Sequence, residues 1–320
     1  MKKLIAMLLC VLFALGLCAC GSTSGSSSAA ADEGPLKIAY STNASAIAPL
    51  TQCIFNNLQA AVEAQGWEFT GMSAEGDDTL QAEQITSLLA GDPDYFVLFP
   101  SDSSVAVDWV KEISDAGVPV ILIYTDVDAE GQEYVSAYVG PDNYSIGKEL
   151  GQWLIDQYGA EADLNIVQIA GVPGQADYAA RLDGFFDSVK STNYTVLNTG
   201  WAYSSRADAQ ALMENYLMSY GDSIDVLVAL DDDLALGGLT AIAEAESDVK
   251  VISIMGMIEA MDAIEKGGLS MTVATPTQSS VDKVIEVITA LENGETVDYN
   301  QYGTYQIITA DNAADYQAEF

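Results

Sequence analysis

The sequence predicts an α/β fold of two similar doubly wound lobes, each a parallel sheet covered on both faces by helices. Three observations carry this. From Leu36 onward, short β-type runs alternate with amphipathic stretches of helical period. The runs are apolar almost without interruption, as strands buried on both faces are. They would make a single sheet of about ten strands, the upper limit for an open twisted sheet, whereas two lobes of roughly 120 to 150 residues match ordinary domain size.

Taken in order, LKIAYS (36–41) reads as a strand, 46–65 as a helix, WEFTGMS (67–73) as a strand and 79–90 as a helix. YFVLFP (95–100), the helix 105–116, PVILIYT (119–125) and the shorter YVSAYVG (134–140) continue the series. The alternation then repeats: helix 144–158, strand LNIVQIAG (164–171), helix 178–190, strand YTVLNTG (194–200) and helix 206–220. Strand IDVLVAL (224–230), helix 234–245, strand VKVISIM (249–255), helix 258–266 and strand LSMTVAT (269–275) follow. Helix 278–291 and one last strand near YQIITA (305–310) close the chain.

Ahead of Leu36 the chain has the layout of an export signal. Lys2 and Lys3 precede an apolar stretch, 4–17, and small residues follow it. The stretch is short of the roughly 20 apolar residues of a membrane span. Leu17, Cys18, Ala19 and Cys20 resemble a bacterial lipoprotein signal, in which the last cysteine becomes the lipidated first residue of the mature chain. Cys18 fails that pattern because Leu17 is too large for the cleavage pocket. The expectation is therefore a signal over 1–19, a lipid on Cys20 and a Gly/Ser/Ala tether to residue 34. Cys53 alone remains in the mature body, so no internal disulfide forms.

Charge and composition narrow the function. The chain has 47 acidic and 11 basic residues, a formal net charge of −36, and no histidine. That charge repels phosphate backbones and anionic lipid headgroups, which argues against nucleic acid and peripheral membrane binding. Solubility at a cell surface suffices to explain it. Without histidine there is no Ser-His-Asp or Cys-His nucleophile and no usual zinc site. No GxGxxG follows a strand and no GxxxxGK[ST] occurs, so dinucleotide and P-loop chemistry lack support. No cofactor and no metal are implied.

In doubly wound folds ligands bind outside the carboxyl ends of the strands. There the sequence places Asn43, Tyr124, Asp126, Gln175, Trp201, Tyr203, Asp231, Met255 and Thr275, with Tyr178 close behind. Three neighbouring carboxylates, Asp231, Asp232 and Asp233, follow IDVLVAL. Such a triplet could hold magnesium or act as an acid and base. Capping of the next helix is assigned to Asp232 and Asp233, and Asp231, first off the strand, is left for the cleft, where a carboxylate accepts two hydroxyl protons. Trp201, Tyr203, Tyr178 and Tyr124 are candidates to stack on a sugar ring.

Three segments, YVGPDNYSIGKELGQWL, GVPGQADYAARLDGF and LDDDLALGGLTAI, with the late GGL and NGE, resemble the type I periplasmic sugar-binding proteins. The resemblance spans about 36–312. It implies a two-lobed solute receptor for an ABC importer, with crossings near Pro141, Thr275 and Asn300 and a ligand held between the lobes. The lobes would be 35–141 with 276–300, and 142–275 with 301–320. Asp231 falls where the family reads a hydroxyl with Asn or Asp, and Asn43 near the polar residue after the first strand. Tyr124, Thr125 and Asp126 match a stretch that often reads Asp-Ser-Asp, so its first acid is missing. Met255 stands where a ligand-binding Asp is usual, Thr275 replaces a frequent Gln, and Ala179 replaces an Arg of ribose binders, while Arg181 matches a more structural arginine.

The expected function is an anchored, monomeric, non-enzymatic receptor. It delivers a small polar ligand, a monosaccharide foremost, to a membrane permease. A sensor of the same fold that signals to a kinase or chemoreceptor is the first alternative. A carboxylate glycosidase is the second, with Asp126 and Asp231 as its only eligible pair at the roughly 5 to 10 Å such enzymes need.

Overall fold

The computed structural model describes residues 34–44 and 48–320, and the expected signal, Cys20 and nearly all of the tether lie outside them. The first half runs β1 (Lys37–Thr42), α1 (Pro49–Ala64), β2 (Glu68–Ser73), α2 (Asp78–Leu89), β3 (Tyr95–Phe99), α3 (Ala106–Asp115), β4 (Val120–Ile123) and β5 (Ala137–Gly140). The second continues with α4 (Asn143–Tyr158), β6 (Asn165–Ala170), α5 (Ala176–Val189), β7 (Thr195–Trp201), α6 (Arg206–Tyr220) and β8 (Val226–Ala229). It ends with α7 (Asp232–Glu244), β9 (Lys250–Met255), α8 (Ile258–Glu265), β10 (Met271–Ala274), α9 (Thr277–Glu292), β11 (Asn300–Tyr302) and β12 (Gln306–Ile308).

Two six-stranded sheets result, ordered β11-β5-β4-β3-β1-β2 and β12-β10-β9-β8-β6-β7. Their strand pairs are parallel except β10 with β12. Each strand feeds two cores because successive side chains point to opposite faces. In β3, Val97 joins α1 and α9 on one side, while Phe96 and Leu98 meet α2 and α3 on the other. The second sheet is flanked in the same way, by α4 and α5 on one face and α6, α7 and α8 on the other.

The lobes are thus interleaved in sequence. The chain passes from β5 into α4, from β10 back into α9, and from β11 into β12. The strand expected near YQIITA is β12, and an unexpected short strand, β11, precedes it in the other sheet, so the third crossing lies at 303–305, past Asn300. The reason is visible in β11, whose NQY has no apolar run and pairs with β5 through backbone alone from Asn300 to Tyr302.

Helices α4 and α5 approach until only glycine fits between them. A Cβ at Gly184 would stand 2.0 Å from the carbonyl oxygen of Tyr144, and one at Gly147 2.0 Å from that of Arg181. Both obstacles are backbone, which cannot rotate away. Gly184→Ala is therefore expected to lower stability by about 1–3 kcal/mol, the usual cost of overpacking, read as a lower urea midpoint. An unchanged midpoint would show that α4 and α5 can part freely.

Candidate functional site

The two sheets point the carboxyl ends of their strands at one another, and the backbone there is unusual. Tyr124 after β4 has φ 67°, Tyr203 and Ser204 after β7 have 49° and 53°, and Met255 at the end of β9 has 129°. Each is a side-chain-bearing residue held in left-handed space, at a cost of order 1–3 kcal/mol. Packing therefore overrides local preference at three strand ends, one in the first sheet and two in the second.

Between the lobes lies a cavity of about 140 Å³. The first lobe contributes Leu50, Phe99, Tyr124 and Thr125; the second contributes Gln175, Asp177, Tyr178, Arg181 and Met255, with Thr275 at the second crossing. Phe99 and Tyr124 form an aromatic floor, their ring centres 5.6 Å apart and tilted by 32°. The Tyr124 hydroxyl is buried towards the lobe interior, facing Ser280 outside hydrogen-bonding geometry, and its pKa is raised chiefly by burial. Opposite the floor, the Gln175 side-chain amide donates across the lobes to the Ser101 carbonyl at 2.8 Å.

Asp177, in the first turn of α5, supplies the wall's one carboxylate. Its Oδ1 is buried and accepts no hydrogen bond. Burial raises its pKa, and the Arg181 guanidinium opposes that shift. Arg181 itself is committed: Nε donates to Asn143 Oδ1 at 2.9 Å, Nη1 donates to the Leu230 carbonyl at 2.6 Å, and the guanidinium stacks 5.1 Å over Tyr178.

The aspartate triplet is arranged differently from the sequence reading. Asp231 is the N-cap of α7, its Oδ1 accepting the Leu234 amide at 2.8 Å. Its Oδ2 accepts the hydroxyl of Tyr178 at 2.7 Å and that of Ser204 at 3.3 Å. Capping thus belongs to Asp231, not to Asp232 or Asp233, because the chain turns into the helix two residues earlier than expected. Asp231 stands behind Tyr178, with its pKa raised chiefly by burial. Asp233 pairs with Arg206 at 2.5 Å on the surface.

Asp232 is fully buried. Its Oδ2 accepts the amides of Gly256 at 2.7 Å and Met257 at 2.8 Å, and its Oδ1 accepts the hydroxyls of Thr272, at 2.9 Å, and Ser253. This one side chain joins α7 to β9, β10 and the turn after Met255, and so fixes where Met255 enters the cavity.

Of the residues expected at the site, Tyr124, Gln175, Tyr178, Met255 and Thr275 line the cavity. Asn43 does not; its Nδ2 donates to Asp78 Oδ1 at 2.8 Å, below the first lobe's rim. Asp126 faces a separate hollow of about 150 Å³ beside the crossings, and its Oδ1 accepts the Tyr299 hydroxyl at 2.6 Å and the Val127 amide at 2.8 Å. Trp201 ends β7, the outermost strand, Tyr203 follows it, and both are exposed there. Asp126 and Asp231 share no wall of the cavity, so the pair a glycosidase needs does not form. Leu50, Phe99, Asp177 and Arg181 were not among the expected contacts. Among the described residues no group of three or more acidic, Cys or His side chains is placed to hold a metal ion.

Residues 38–296 match the family model of the periplasmic binding protein domain. The chain is 29% identical over 232 residues to the ribose import binding protein of Bacillus subtilis, covering 71% of this chain and 74% of that one. It is 25% identical over 300 residues to the xylitol-binding protein of Mycolicibacterium smegmatis, covering 93% and 83%. An ABC transporter solute binding protein from Bacillus halodurans, solved with bound myo-inositol, superposes with a TM-score of 0.81 at 25% identity, covering 91% of this chain and 100% of that one.

Asp232 generates a pH-dependence of stability. Burial pushes its pKa up to about 6, against about 3.9 in an unfolded chain, so the native state holds a proton that the unfolded state releases between those values. Its contribution is greatest below about pH 4 and falls as pH rises to about 6, by up to about 3 kcal/mol. Asp232→Asn fits the same cage, with its oxygen towards the two amides and its NH2 towards the two hydroxyls. Urea midpoints at pH 4.5 and 7 should differ less in this variant than in the parent. Equal pH-dependence in both would assign the effect to other carboxylates.

Proposed function

Since the chain belongs to the periplasmic binding protein family, we propose that it is an extracytoplasmic receptor that traps a small uncharged polyol, a monosaccharide foremost, between its lobes and delivers it to an ABC importer. The observation that carries this reading is the composition of the cavity. An aromatic floor from one lobe faces a wall that carries the carboxylate of Asp177 from the other. A ring stacks on the first through its C–H face while its hydroxyls donate to the second. About 140 Å³ is close to the roughly 150 Å³ cavity that admits a six-membered ring. Ribose, xylitol and myo-inositol, named for the relatives, are all neutral polyols. An anionic sugar would bring its charge against Asp177, which costs affinity by repulsion.

The receptor acts as a monomer, held at the outer face of the membrane by a lipid on Cys20, and binds without turnover. Stable anchoring takes more than one acyl chain, as bacterial lipoproteins have. Cys20→Ala should accordingly move the protein from the membrane fraction to the medium or periplasm, and equal retention of the variant would remove the anchor.

A thermal-shift series with D-ribose, xylitol and myo-inositol tests the ligand class, because a solute bound only by the folded form raises the melting temperature. Asp177→Ala should weaken the solute that gives the largest shift by about ten- to a hundredfold, the loss of one charge-assisted hydrogen bond. The melting temperature of the unliganded variant should equal or exceed that of the parent, since a desolvated carboxylate is removed. No shift with any neutral polyol would defeat the reading.

A further inference from the structure

The segment after β12, residues 309–320, is bonded to both lobes at once. Tyr316, Ala318 and Phe320 pack on the second lobe's core, and the Phe320 carbonyl accepts the amide of Ile258, the first residue of α8, at 2.7 Å. One residue earlier, Glu319 turns to the first lobe. Its Oε2 accepts the Thr277 amide at 2.7 Å and the Thr277 hydroxyl, and its Oε1 accepts the Gln278 amide at 3.3 Å. These residues open α9, whose N-cap position is Pro276 and which has no side-chain cap from its own neighbourhood. A carboxylate 42 positions away therefore serves the free amides and the positive end of the helix dipole.

The same contact reaches the cavity from two sides. Thr277 Oγ1 accepts from Asn57 Nδ2 at 3.0 Å and lies 3.1 Å from Cys53 Sγ. Both belong to α1, the helix that sends Leu50 to the wall, and Thr275 lines that wall two residues before Thr277.

We propose that Glu319 is a positioning residue of the cleft: with Phe320 it forms a non-covalent tie between the lobes, in addition to the three crossings, that holds the second crossing and the start of α1 against the second lobe as they stand in this structure. Three covalent crossings set the hinge but leave its angle free. Glu319 and Phe320 are adjacent, so their Cα atoms are about 3.8 Å apart, and one is bonded to each lobe. A link this short has no slack, and separation of α8 from α9 breaks one end of it. The inference is independent of which solute the cavity takes.

The test uses unliganded protein carrying Glu319→Ala, with Glu319→Gln as the variant that keeps one acceptor oxygen. Hydrogen exchange at the amides of Thr277 and Gln278 should quicken about tenfold or more in Glu319→Ala, while amides of β6 and β9 keep their protection. Small-angle scattering should show a larger radius of gyration than the parent, with Glu319→Gln between the two. Loss of protection at Thr277 with an unchanged radius would reduce Glu319 to a helix cap and overturn the proposal. Unchanged protection at Thr277 would overturn it as well, and so would acceleration spread evenly over β6 and β9. If Glu319→Ala does not fold, the same readings on Glu319→Gln decide.

Discussion

Burying a carboxylate without a cation beside it is costly, and the second lobe is built around one that is. Asp232 survives burial because four donors converge on it, two from the turn after β9 and two from hydroxyls on β9 and β10. Each donor comes from a segment that must be in place before the others gain from it. The strand register, the start of α7 and the left-handed turn at Met255 and Gly256 are therefore specified together. The cavity's second wall depends on that turn, so ligand contact and lobe folding share one set of hydrogen bonds.

The same logic separates what is stiff from what can move. Within the second lobe, α4 and α5 touch backbone to backbone at Gly147 and Gly184, which leaves no side chains to repack. Between the lobes, the described contacts are few and polar, such as Gln175 to Ser101. Stiff bodies joined by thin connections concentrate motion in the connections, as hinge-bending proteins do.

Most of the fold was legible because buried parallel strands write themselves as unbroken apolar runs, and helices such as α1, α3, α5 and α9 carry an amphipathic period. β11 was not, since three polar residues that pair through backbone leave no pattern in side chains. The site was legible where a residue ends or directly follows an inner strand, as Met255 does at β9 and as Tyr124 and Thr275 do after β4 and β10. Trp201 and Tyr203 also stand at the end of a strand, but β7 is at the sheet edge, and strand order cannot be read along the chain. Asp177 was missed for the opposite reason: it lies on a helix whose first two turns face the cavity, beside Arg181, whose hydrogen bonds to Asn143 and Leu230 match the structural role expected of it. Phe99 and Leu50 read as core because apolar side chains look alike whether they face a lobe interior or a ligand. The cap of α7 falls on Asp231 and not on the two aspartates after it, a distance that composition does not resolve among three identical side chains.

The left-handed residues at the rim bear on how this cleft could change its diet. A position held at positive φ tolerates glycine, asparagine or the residue already there far better than a β-branched one. Tyr124 and Met255 are two such positions, so the alphabet open to them is short, and many substitutions there would disturb the turn before they altered recognition. Gln175, Asp177 and Thr275 line the same cavity from ordinary backbone and are free of that restriction. New preferences should accumulate at those three positions, while the strained pair drifts slowly and keeps the geometry of the rim from one descendant to the next.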